Sequence, residues 1–337
     1  MGAVIPLKKE INNSYLQLRN LVGRRLDDVN QLIKCKLESE INLIHKMTDH
    51  HLNSGGKRIR PLLTLAAAKL CSYKDGDRDI NLAACVELIH SATLLHDDVI
   101  DDSDLRRGIK TANSVWGNQS SILVGDYLFS RCFELMVEDG SPEILKLLSS
   151  TSSTIAQGEV LQLEQKGEVD VLEETYFNII NMKTAALFAA ATRIGACIGN
   201  KNKKEKDALE SYGKNLGLAF QIADDALDYY SKDVLFGKKI GKDFYEGKTT
   251  LPLIIIFQSG NNEERNFLTE ILKKEKRNEE DFSETLALIN KYKAVQASLK
   301  RAEYFVNISY GALGIFEDSV EKKILQNLTD FSLNRSF

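Results

Sequence analysis

Two short acidic clusters are the residues of this sequence best suited to chemistry. They share the pattern D-D-x-x-D and consist of Asp97, Asp98 and Asp101 in the first cluster and of Asp224, Asp225 and Asp228 in the second. On a helix, residues four apart lie on one face, where like charges repel. Each cluster ends an apolar stretch, where a carboxylate is costly unless it is paired or bound to a metal ion. The two uncompensated clusters therefore predict binding of Mg²⁺, which prefers carboxylate oxygens, water and substrate phosphates.

Basic residues stand where they can meet a phosphate group near these clusters. Lys57 and Arg60 follow two glycines and are three residues apart, so both can point at an anion near a helix N-terminus. Arg106 and Arg107 follow the first cluster, and a guanidinium group fits phosphate oxygens. Further candidates are Lys183, Thr184, Lys238 and Lys248. Cations beside two Mg²⁺-type clusters predict a site for two diphosphates, one neutralised by Mg²⁺ and the other bound by Arg and Lys.

Other kinds of site find little support in the sequence. Glu87 and His90 match the E-x-x-H of di-iron bundles, but such a site needs two pairs and the sequence has one. No G-x-S-x-G, G-x-G-x-x-G or Walker A pattern occurs, so neither a serine hydrolase nor a nucleotide-binding protein is indicated. Lys239 and Lys242, taken singly, are interpreted as solvated surface charges. The 44 basic and 48 acidic residues give a net charge of −4, which argues against a general nucleic-acid binder.

The elements that must position these residues are predicted to be helices. Only four prolines occur in 337 residues, and apolar residues recur at helical spacing. Long helices are predicted over residues 82–100, 144–163, 176–198 and 209–230, and the first, apolar on nearly all sides, should be buried. The charged residues 259–281 are predicted to form a surface excursion between helices. Because no Gly-, Ser- or Pro-rich linker divides the chain, the prediction is one all-α domain over residues 1–337, although length alone would suggest two.

Cysteine usage and hydropathy indicate the compartment. The five cysteines are scattered and never spaced C-x-x-C, which fits a reducing cytoplasm better than a disulfide framework or a zinc site. The N-terminal residues lack the apolar region of a signal peptide. The longest strongly apolar run, residues 251–257, is far shorter than the ~20 residues of a membrane span. The expectation is a cytoplasmic protein without stable membrane insertion.

The order of several motifs resembles that of a known family. They are, in chain order, G-G-K-R-I-R-P, E-L-I-H-S-A-T-L-L-H-D-D-V-I-D-D-S-D-L-R-R-G, V-G-D-Y-L, K-T-A, F-Q-I-A-D-D-A-L-D-Y and E-G-K-T-T-L-P-L. The combination strongly resembles trans-isoprenyl diphosphate synthases, most of all the octaprenyl and decaprenyl type that makes the side chains of quinones such as ubiquinone. The resemblance implies an all-α bundle around a central cavity, a homodimer, and a prenyltransferase. This enzyme would condense isopentenyl diphosphate repeatedly with an allylic diphosphate, of the farnesyl or geranyl type, to a long all-trans polyprenyl diphosphate.

The resemblance also implies a role for each candidate residue. The six aspartates would lie on facing helices and bind two or three Mg²⁺ ions, which bridge to the allylic diphosphate. The residues that would hold this diphosphate are Arg106, Lys183, Thr184, Gln221 and Lys238, with Lys248 near them. Those that would hold isopentenyl diphosphate are Lys57, Arg60, His90 and Arg107. Mg²⁺ would stabilise the departing diphosphate, and the reaction needs no protein nucleophile.

Product length would be set below the first acidic cluster. Side chains lean toward the N-terminus of a helix, so the growing tail should pass Thr93 and Ala92, which come shortly before Asp97. Short-chain members of the resembled family often carry bulky aromatic residues there. The two small residues therefore indicate a long product.

Two alternatives remain open. A class I terpene cyclase also uses D-D-x-x-D, but such enzymes usually carry a second motif of the N-S-E type, which the second cluster does not match. A non-catalytic subunit of a heteromeric synthase would typically lose aspartates, and all six are present here.

Overall fold

The computed structural model describes residues 7–168, 171–230 and 240–333. Its α-helices, in chain order, are α1 (Leu7–Val22), α2 (Arg25–Lys36), α3 (Asn42–Asn53), α4 (Ile59–Leu70), α5 (Arg78–Ile100), α6 (Ala112–Trp116), α7 (Asn118–Asp139), α8 (Pro142–Glu164), α9 (Glu173–Ile180), α10 (Ala186–Ile198), α11 (Lys203–Asp228), α12 (Lys242–Glu246), α13 (Leu251–Ser259), α14 (Asn262–Leu272), α15 (Glu279–Lys291), α16 (Ala294–Ala312) and α17 (Val320–Leu333). The remaining elements are a π-helical turn (Asn181–Ala185), a 3₁₀ turn (Leu313–Ile315) and the strands β1 (Leu105–Arg106) and β2 (Ile109–Lys110). The all-α prediction is confirmed, and the single domain stays a prediction.

Two clusters of buried apolar side chains form the core. The larger joins α1, α2, α4, α5, α7, α8, α10 and the first half of α11, and the smaller joins α9, the second half of α11 and α13 to α16. Small residues let the central helices approach closely: a Cβ added to Gly195 of α10 would lie only 2.4 Å from the backbone nitrogen of Ala68 in α4. Helix α11 thus links the two clusters, and its C-terminal half, which carries the second acidic cluster, packs in the smaller one.

Most of the predicted long helices are confirmed. Helix α5 is buried along nearly all of its length, as its apolar sequence predicts. Helices α8 and α11 cover the predicted stretches 144–163 and 209–230, apart from the last two residues of the second. The predicted helix over residues 176–198 differs, because the π-helical turn interrupts it at Lys183 and Thr184. Such turns are rare and frequently lie at functional sites.

The prediction for residues 259–281 was wrong in part, because α14 lies within this stretch. Asn261 begins the helix with a capping box that it shares with Glu264. Leu268 and Ile271 are buried on the inner face of α14 and pack into the smaller core cluster. The charged residues that suggested a surface excursion lie partly on the outer face of this helix and partly in the connection that follows it.

A short hairpin returns the chain toward the end of α5. Strand β1 pairs antiparallel with β2, with Arg106 opposite Ile109. The turn residues Arg107 and Gly108 both have positive φ, 53° and 79°, as a tight two-residue hairpin requires. This turn brings Arg106 back beside the first acidic cluster. None of the described helices is long and apolar enough to cross a membrane.

Candidate active site

A cavity of about 140 Å³ lies where the ends of α5 and α11 meet α8, α9 and the π-helical turn. Six of the residues singled out from the sequence line it, namely Asp101, Lys183, Thr184, Gln221, Asp225 and Lys248. The two acidic clusters are 127 positions apart in the chain, 224 − 97, yet both contribute a carboxylate to this one space. The fold therefore brings the clusters together as the sequence predicted.

The first acidic cluster is paired with cations of the protein itself. The Arg106 guanidinium donates to Asp98 at 2.8 Å and 2.9 Å. The Lys248 ammonium donates to Asp101 at 2.7 Å. Lys183 lies 3.8 Å from Asp97. The interpretation of this cluster as uncompensated was therefore wrong, because the cations come from the hairpin, from the π-helical turn and from the segment before α13.

These ion pairs set the charge of the cluster. Burial raises the pKa of Asp98, although Arg106 opposes the shift. Burial would also raise the pKa of Asp101, but the charge and hydrogen bond of Lys248, with the charges of Lys183 and Lys242, together hold that pKa below its ordinary value. Burial alone would lower the pKa of Lys248, whereas Asp101 and Glu246 raise it above the ordinary range. Lys248 and Asp101 are consequently both charged at neutral pH.

The second acidic cluster is held by neutral donors instead. The Tyr176 hydroxyl donates to one oxygen of Asp225 at 2.6 Å, and the Gln221 amide donates to the other at 2.7 Å. Gln221 in turn accepts a hydrogen bond from Thr184 at 2.8 Å. Burial is the main reason that the pKa of Asp225 rises to about 7. Tyr176 belongs to none of the sequence motifs, so sequence analysis missed it.

The other two aspartates of the second cluster differ from Asp225. Asp228 accepts a hydrogen bond from the backbone N–H of Asp243 at 2.8 Å, which ties the end of α11 to the start of α12. Asp224 is exposed. Asp243 also lines the cavity, and burial together with Asp225 raises its pKa well above the ordinary value. Sequence analysis gave Asp243 no role.

Lys183 lies between α8 and the first acidic cluster. Its ammonium donates to Glu159 at 2.6 Å and to Gln162 at 2.9 Å. The contact depends on Gly158, since a Cβ at this position would lie 2.8 Å from the Met182 Cβ and 3.0 Å from the backbone nitrogen of Lys183. Burial and the neighbouring charge of Asp97 raise the pKa of Glu159 to about 7, although Lys183 opposes the shift.

A basic corner forms at the N-terminus of α4 beside the hairpin. Arg58, with a φ of 49°, pairs with the buried Glu87 of the rejected E-x-x-H motif. The Arg107 guanidinium donates to the carbonyl of Gly55. The neighbouring Gly56 has a φ of 153°, which other residues rarely adopt, and a Cβ there would lie 2.9 Å from Arg107 Nη1. Glu87 is thus occupied by an ion pair and is not available as part of a di-iron site.

The basic corner also holds two histidines in their neutral form. Burial, with the charge of Arg60 second, lowers the pKa of His90 well below its ordinary value. Burial and the charge of Arg58 lower the pKa of His51 to about 3, and this histidine was missed by sequence analysis. Arg60 lies 4.7 Å from the centre of the Phe188 ring. Lys57 is exposed. His90, Arg60 and Arg107 are therefore neighbours, as the sequence predicted.

The two residues predicted to set product length do not line the cavity. Ala92 is fully buried in α5. Thr93 is half-buried and donates its hydroxyl to the carbonyl of His90 at 2.8 Å. Their role in product length stays a prediction. Lys238 lies outside the described residues.

The carboxylates around the cavity suit a divalent cation that shares its coordination with a ligand. In the described part of the chain, no group of three or more His, Cys, Asp or Glu side chains converges tightly enough to hold an ion alone. Asp97 Oδ1 is nevertheless buried and accepts no hydrogen bond there. An oxygen in this state gains most from a cation. Hard carboxylate oxygens facing a cavity fit Mg²⁺ or Ca²⁺ that is completed by phosphate oxygens and water.

Comparison with known proteins identifies the relatives of this chain. The sequence pattern of the family described as Polyprenyl synthetase matches residues 41–289. The chain is 35% identical to the octaprenyl diphosphate synthase of Haemophilus influenzae over 98% of its own length and 100% of that protein.

Solved structures agree with the sequence match. A polyprenyl synthase from Caulobacter crescentus, complexed with calcium and isoprenyl diphosphate, is 42% identical, with a TM-score of 0.91 and coverage of 96% of this chain and 98% of that one. A decaprenyl diphosphate synthase from Rhodobacter capsulatus is 40% identical, with a TM-score of 0.91 and coverage of 96% and 99%. The similarity therefore extends over nearly the whole of each chain.

Proposed function

The chain belongs to the polyprenyl synthetase family, and from this premise we propose that it is a long-chain trans-prenyltransferase. It condenses isopentenyl diphosphate with an allylic diphosphate and extends the product by repeated condensation. The observation that carries this proposal is the shared cavity, where Asp101 and Asp225 face Lys183 and Lys248. Carboxylates for a cation and ammonium groups for a diphosphate are what ionisation of an allylic diphosphate requires.

The proposed cofactor is Mg²⁺, two or three ions per site, held by the aspartates of both clusters. When bound, Mg²⁺ neutralises the allylic diphosphate and makes it a better leaving group. The Caulobacter crescentus relative is complexed with calcium and isoprenyl diphosphate, which supports binding of a divalent cation by the present chain. In the present chain, Asp97 offers a buried oxygen without a hydrogen bond among the described residues, which supports its role as a ligand.

The side chains of the protein bind and orient the two substrates. Lys183, Lys248 and Arg106 exchange their carboxylate partners for oxygens of the allylic diphosphate, with Thr184, Gln221 and Lys238 as further members of that site. The basic corner of Lys57, Arg60, His90 and Arg107 holds isopentenyl diphosphate. Its double bond attacks the allylic carbon, and a proton then leaves for the released diphosphate. Because His90 is neutral, it donates a hydrogen bond to a diphosphate oxygen without adding a charge.

Product length is the finer part of the proposal. We propose an octaprenyl or decaprenyl product, as made by the relatives named above, for the side chain of a quinone such as ubiquinone. Ala92 and Thr93 would leave the path of the tail open. The test is Ala92→Phe, which should shorten the product, with Ala92→Ser as the matched control that keeps it long. Chromatography that finds the same product length for Ala92→Phe and the wild type would contradict this assignment.

A homodimer is the proposed assembly. Helix α7 exposes four large apolar side chains, Ile122, Leu123, Phe133 and Val137, of which Val137 is 68% exposed. At 100° per residue these positions fall within an arc of about 100° on one side of the helix. An apolar face of this kind on a core helix is typical of a subunit interface. Sedimentation equilibrium of the purified chain tests it, and a monomer at micromolar concentration would contradict it.

We also propose a cytoplasmic location. It rests on the five cysteines, all of which are free thiols in this structure. A reducing compartment keeps such thiols unpaired.

One assay tests the proposed activity. Purified protein is incubated with isopentenyl diphosphate, farnesyl diphosphate and Mg²⁺, and the products are sized by chromatography, with a chelator added in the control. The expected result is a long polyprenyl diphosphate that disappears with the chelator. A cyclic hydrocarbon from farnesyl diphosphate alone would favour the terpene cyclase. Elongation only after a second protein is added would favour the subunit of a heteromeric synthase.

A further inference from the structure

Three acceptor oxygens lie near the Lys183 ammonium, at different distances from it. Its ammonium lies 2.6 Å from Glu159 Oε2, 2.9 Å from Gln162 Oε1 and 3.8 Å from Asp97 Oδ2. An ammonium has three N–H donors, and the first two distances are those of strong hydrogen bonds. The third distance is too long for a hydrogen bond. Helix α8 therefore holds the lysine more tightly than the acidic cluster does.

Asp97 differs in this respect from the other two aspartates of its cluster. Asp98 and Asp101 each accept a direct hydrogen bond from a cation, at 2.8 Å and 2.7 Å. Asp97 has the long contact to Lys183 and the Glu159 carboxyl as a close neighbour, and its buried Oδ1 accepts no hydrogen bond from any described residue. If Lys183 moved about one ångström, it would close on Asp97 in the way that Lys248 closes on Asp101. Another contact must therefore hold Lys183 away from Asp97.

We propose that Glu159 is a positioning residue, which holds the Lys183 ammonium away from Asp97 and thereby keeps Asp97 available to a divalent cation. The carboxylate is in the right place because Glu159 and Gln162 are three residues apart on one face of α8. Gly158 lets the π-helical turn approach this face, where a Cβ would lie 3.0 Å from the Lys183 nitrogen. Both Glu159 and Gln162 line the cavity. The inference rests on the proposed function, since it assigns Asp97 to a cation and Lys183 to a diphosphate.

This role predicts that loss of the Glu159 carboxylate lowers the affinity of the site for Mg²⁺. Without the charge of Glu159, Lys183 turns to Asp97 and competes there with the incoming cation. The loss of a negative charge beside the site acts in the same direction. More Mg²⁺ is then needed to load the site, whereas the basic corner proposed for isopentenyl diphosphate, which does not include Glu159, is unaffected.

The test measures binding without turnover. Calorimetry follows inorganic diphosphate binding to the full chain over a series of Mg²⁺ concentrations, for the wild type, Glu159→Gln and Glu164→Gln. Glu164 is an exposed residue of the same helix and serves as the matched control. We expect the Mg²⁺ concentration for half-maximal binding to rise about tenfold in Glu159→Gln, the scale of a lost contact that supports a metal ligand. The control should match the wild type.

A second background separates positioning from a plain loss of charge. In Lys183→Met there is no ammonium to compete for Asp97, so adding Glu159→Gln should shift the Mg²⁺ requirement by about twofold or less. An equal tenfold shift in this background would overturn the inference, and so would an unshifted Glu159→Gln. In Glu159→Gln, the KM for isopentenyl diphosphate should stay at the wild-type value. An unchanged KM also indicates an intact fold. If that KM rose in parallel with the Mg²⁺ requirement, Glu159 would have a structural role and the inference would fail.

The same experiment distinguishes this inference from the proposed function. A wild-type chain that binds diphosphate with Mg²⁺ but does not elongate would count against the proposed function alone. A wild-type chain that elongates, with a Glu159→Gln variant of normal Mg²⁺ requirement, would overturn the inference alone.

Discussion

Two carboxylates of the first acidic cluster are neutralised by cations, whereas the second cluster is held by uncharged donors. Asp98 and Asp101 each meet an arginine or a lysine, while Asp225 meets a tyrosine hydroxyl and a glutamine amide. The same D-D-x-x-D pattern on the same kind of helix end thus has two different electrostatic surroundings. In the proposed function, a metal ion and a diphosphate replace the ion pairs of the first cluster. In the second, Asp225 is fixed in place by hydrogen bonds that have no charge to exchange.

The difference predicts that an aspartate of the first cluster can be removed with little loss of stability. Asp97→Asn should lower kcat/KM by about a thousandfold, because a charge that stabilises the transition state through the cation is lost. The free energy of unfolding should change by less than about 1 kcal/mol, because the buried Asp97 Oδ1 accepts no hydrogen bond from a described residue and the charge of Asp97 repels that of Glu159. Steady-state kinetics and thermal denaturation in a chelator measure the two effects.

A large loss of stability in Asp97→Asn would contradict the difference between the two acidic clusters. It would mean that the long contact with Lys183 supports the fold, and that the two clusters do not differ in this way. Glu164→Gln, a loss of negative charge on the exposed side of α8, is the control for both measurements.

Asp225 should behave in the opposite way. Asp225→Asn places an amide N–H₂ against the hydroxyl of Tyr176 or the amide of Gln221, so one buried donor loses its acceptor. The expected cost is about 1 to 3 kcal/mol of unfolding free energy. Activity should fall as well, by about a hundredfold, since the carboxylate faces the proposed metal site. Chemical denaturation of the metal-free protein, compared with Asp97→Asn, measures the difference between the clusters.

Asp225 also predicts a pH dependence whose sign follows from its burial. Its pKa is about 7 in the folded chain against 3.8 for an ordinary aspartate, so the unfolded chain releases this proton first. The contribution of Asp225 to stability is therefore full below pH 3.8 and is lost as the pH rises toward 7. The stability of the wild type relative to Asp225→Asn should decline over this interval, by up to about 1.4 kcal/mol per pH unit. A difference that stayed constant from pH 4 to 8 would contradict the raised pKa.

The sequence predicted the helices from their local apolar patterns, and it predicted the residues of the cavity from the aspartate repeats together with the family resemblance. Periodic apolar residues predict helices such as α8 and α11, and an aspartate repeat on a helix predicts charges on one face. It did not predict the partners of those charges. Lys248 lies 147 positions from Asp101, and only tertiary packing decides that they touch. The expectation of uncompensated carboxylates failed for this reason.

The missed residues follow the same rule. Glu159 and Tyr176 look like ordinary residues of amphipathic helices, and their roles arise from the helix that each one meets. The π-helical turn was missed because a single widened turn leaves the apolar pattern of residues 176–198 almost unchanged. The approach of this turn to Gly158 is visible only in three dimensions.

Tyr176→Phe sharpens the comparison by removing one donor from the second cluster without touching an aspartate. The change leaves one oxygen of Asp225 without its partner, so the unfolding free energy should fall by about 1 to 2 kcal/mol. We expect kcat to fall about tenfold, because Asp225 loses its fixed orientation. Tyr304→Phe removes the hydroxyl of a tyrosine that is 63% exposed and should change neither quantity. Equal effects of the two changes would show that the contact with Asp225 is not what matters.

The smallest effect is expected for a lysine that is near the first cluster but outside its ion pairs. Lys242 donates to Ser103 at 3.0 Å and lies 3.2 Å from Glu246, and its side chain is 49% exposed. Lys248 shares the same Glu246 but is 17% exposed and binds Asp101 directly. An exposed ion pair contributes little, so Lys242→Ala should change the KM for the allylic diphosphate by about twofold or less. Lys248→Ala should raise this KM about tenfold or more, since a buried charged contact is lost. If both changes had the same effect, closeness to the cluster would matter more than burial, and the first cluster would be a diffuse cationic field instead of a set of specific, exchangeable pairs.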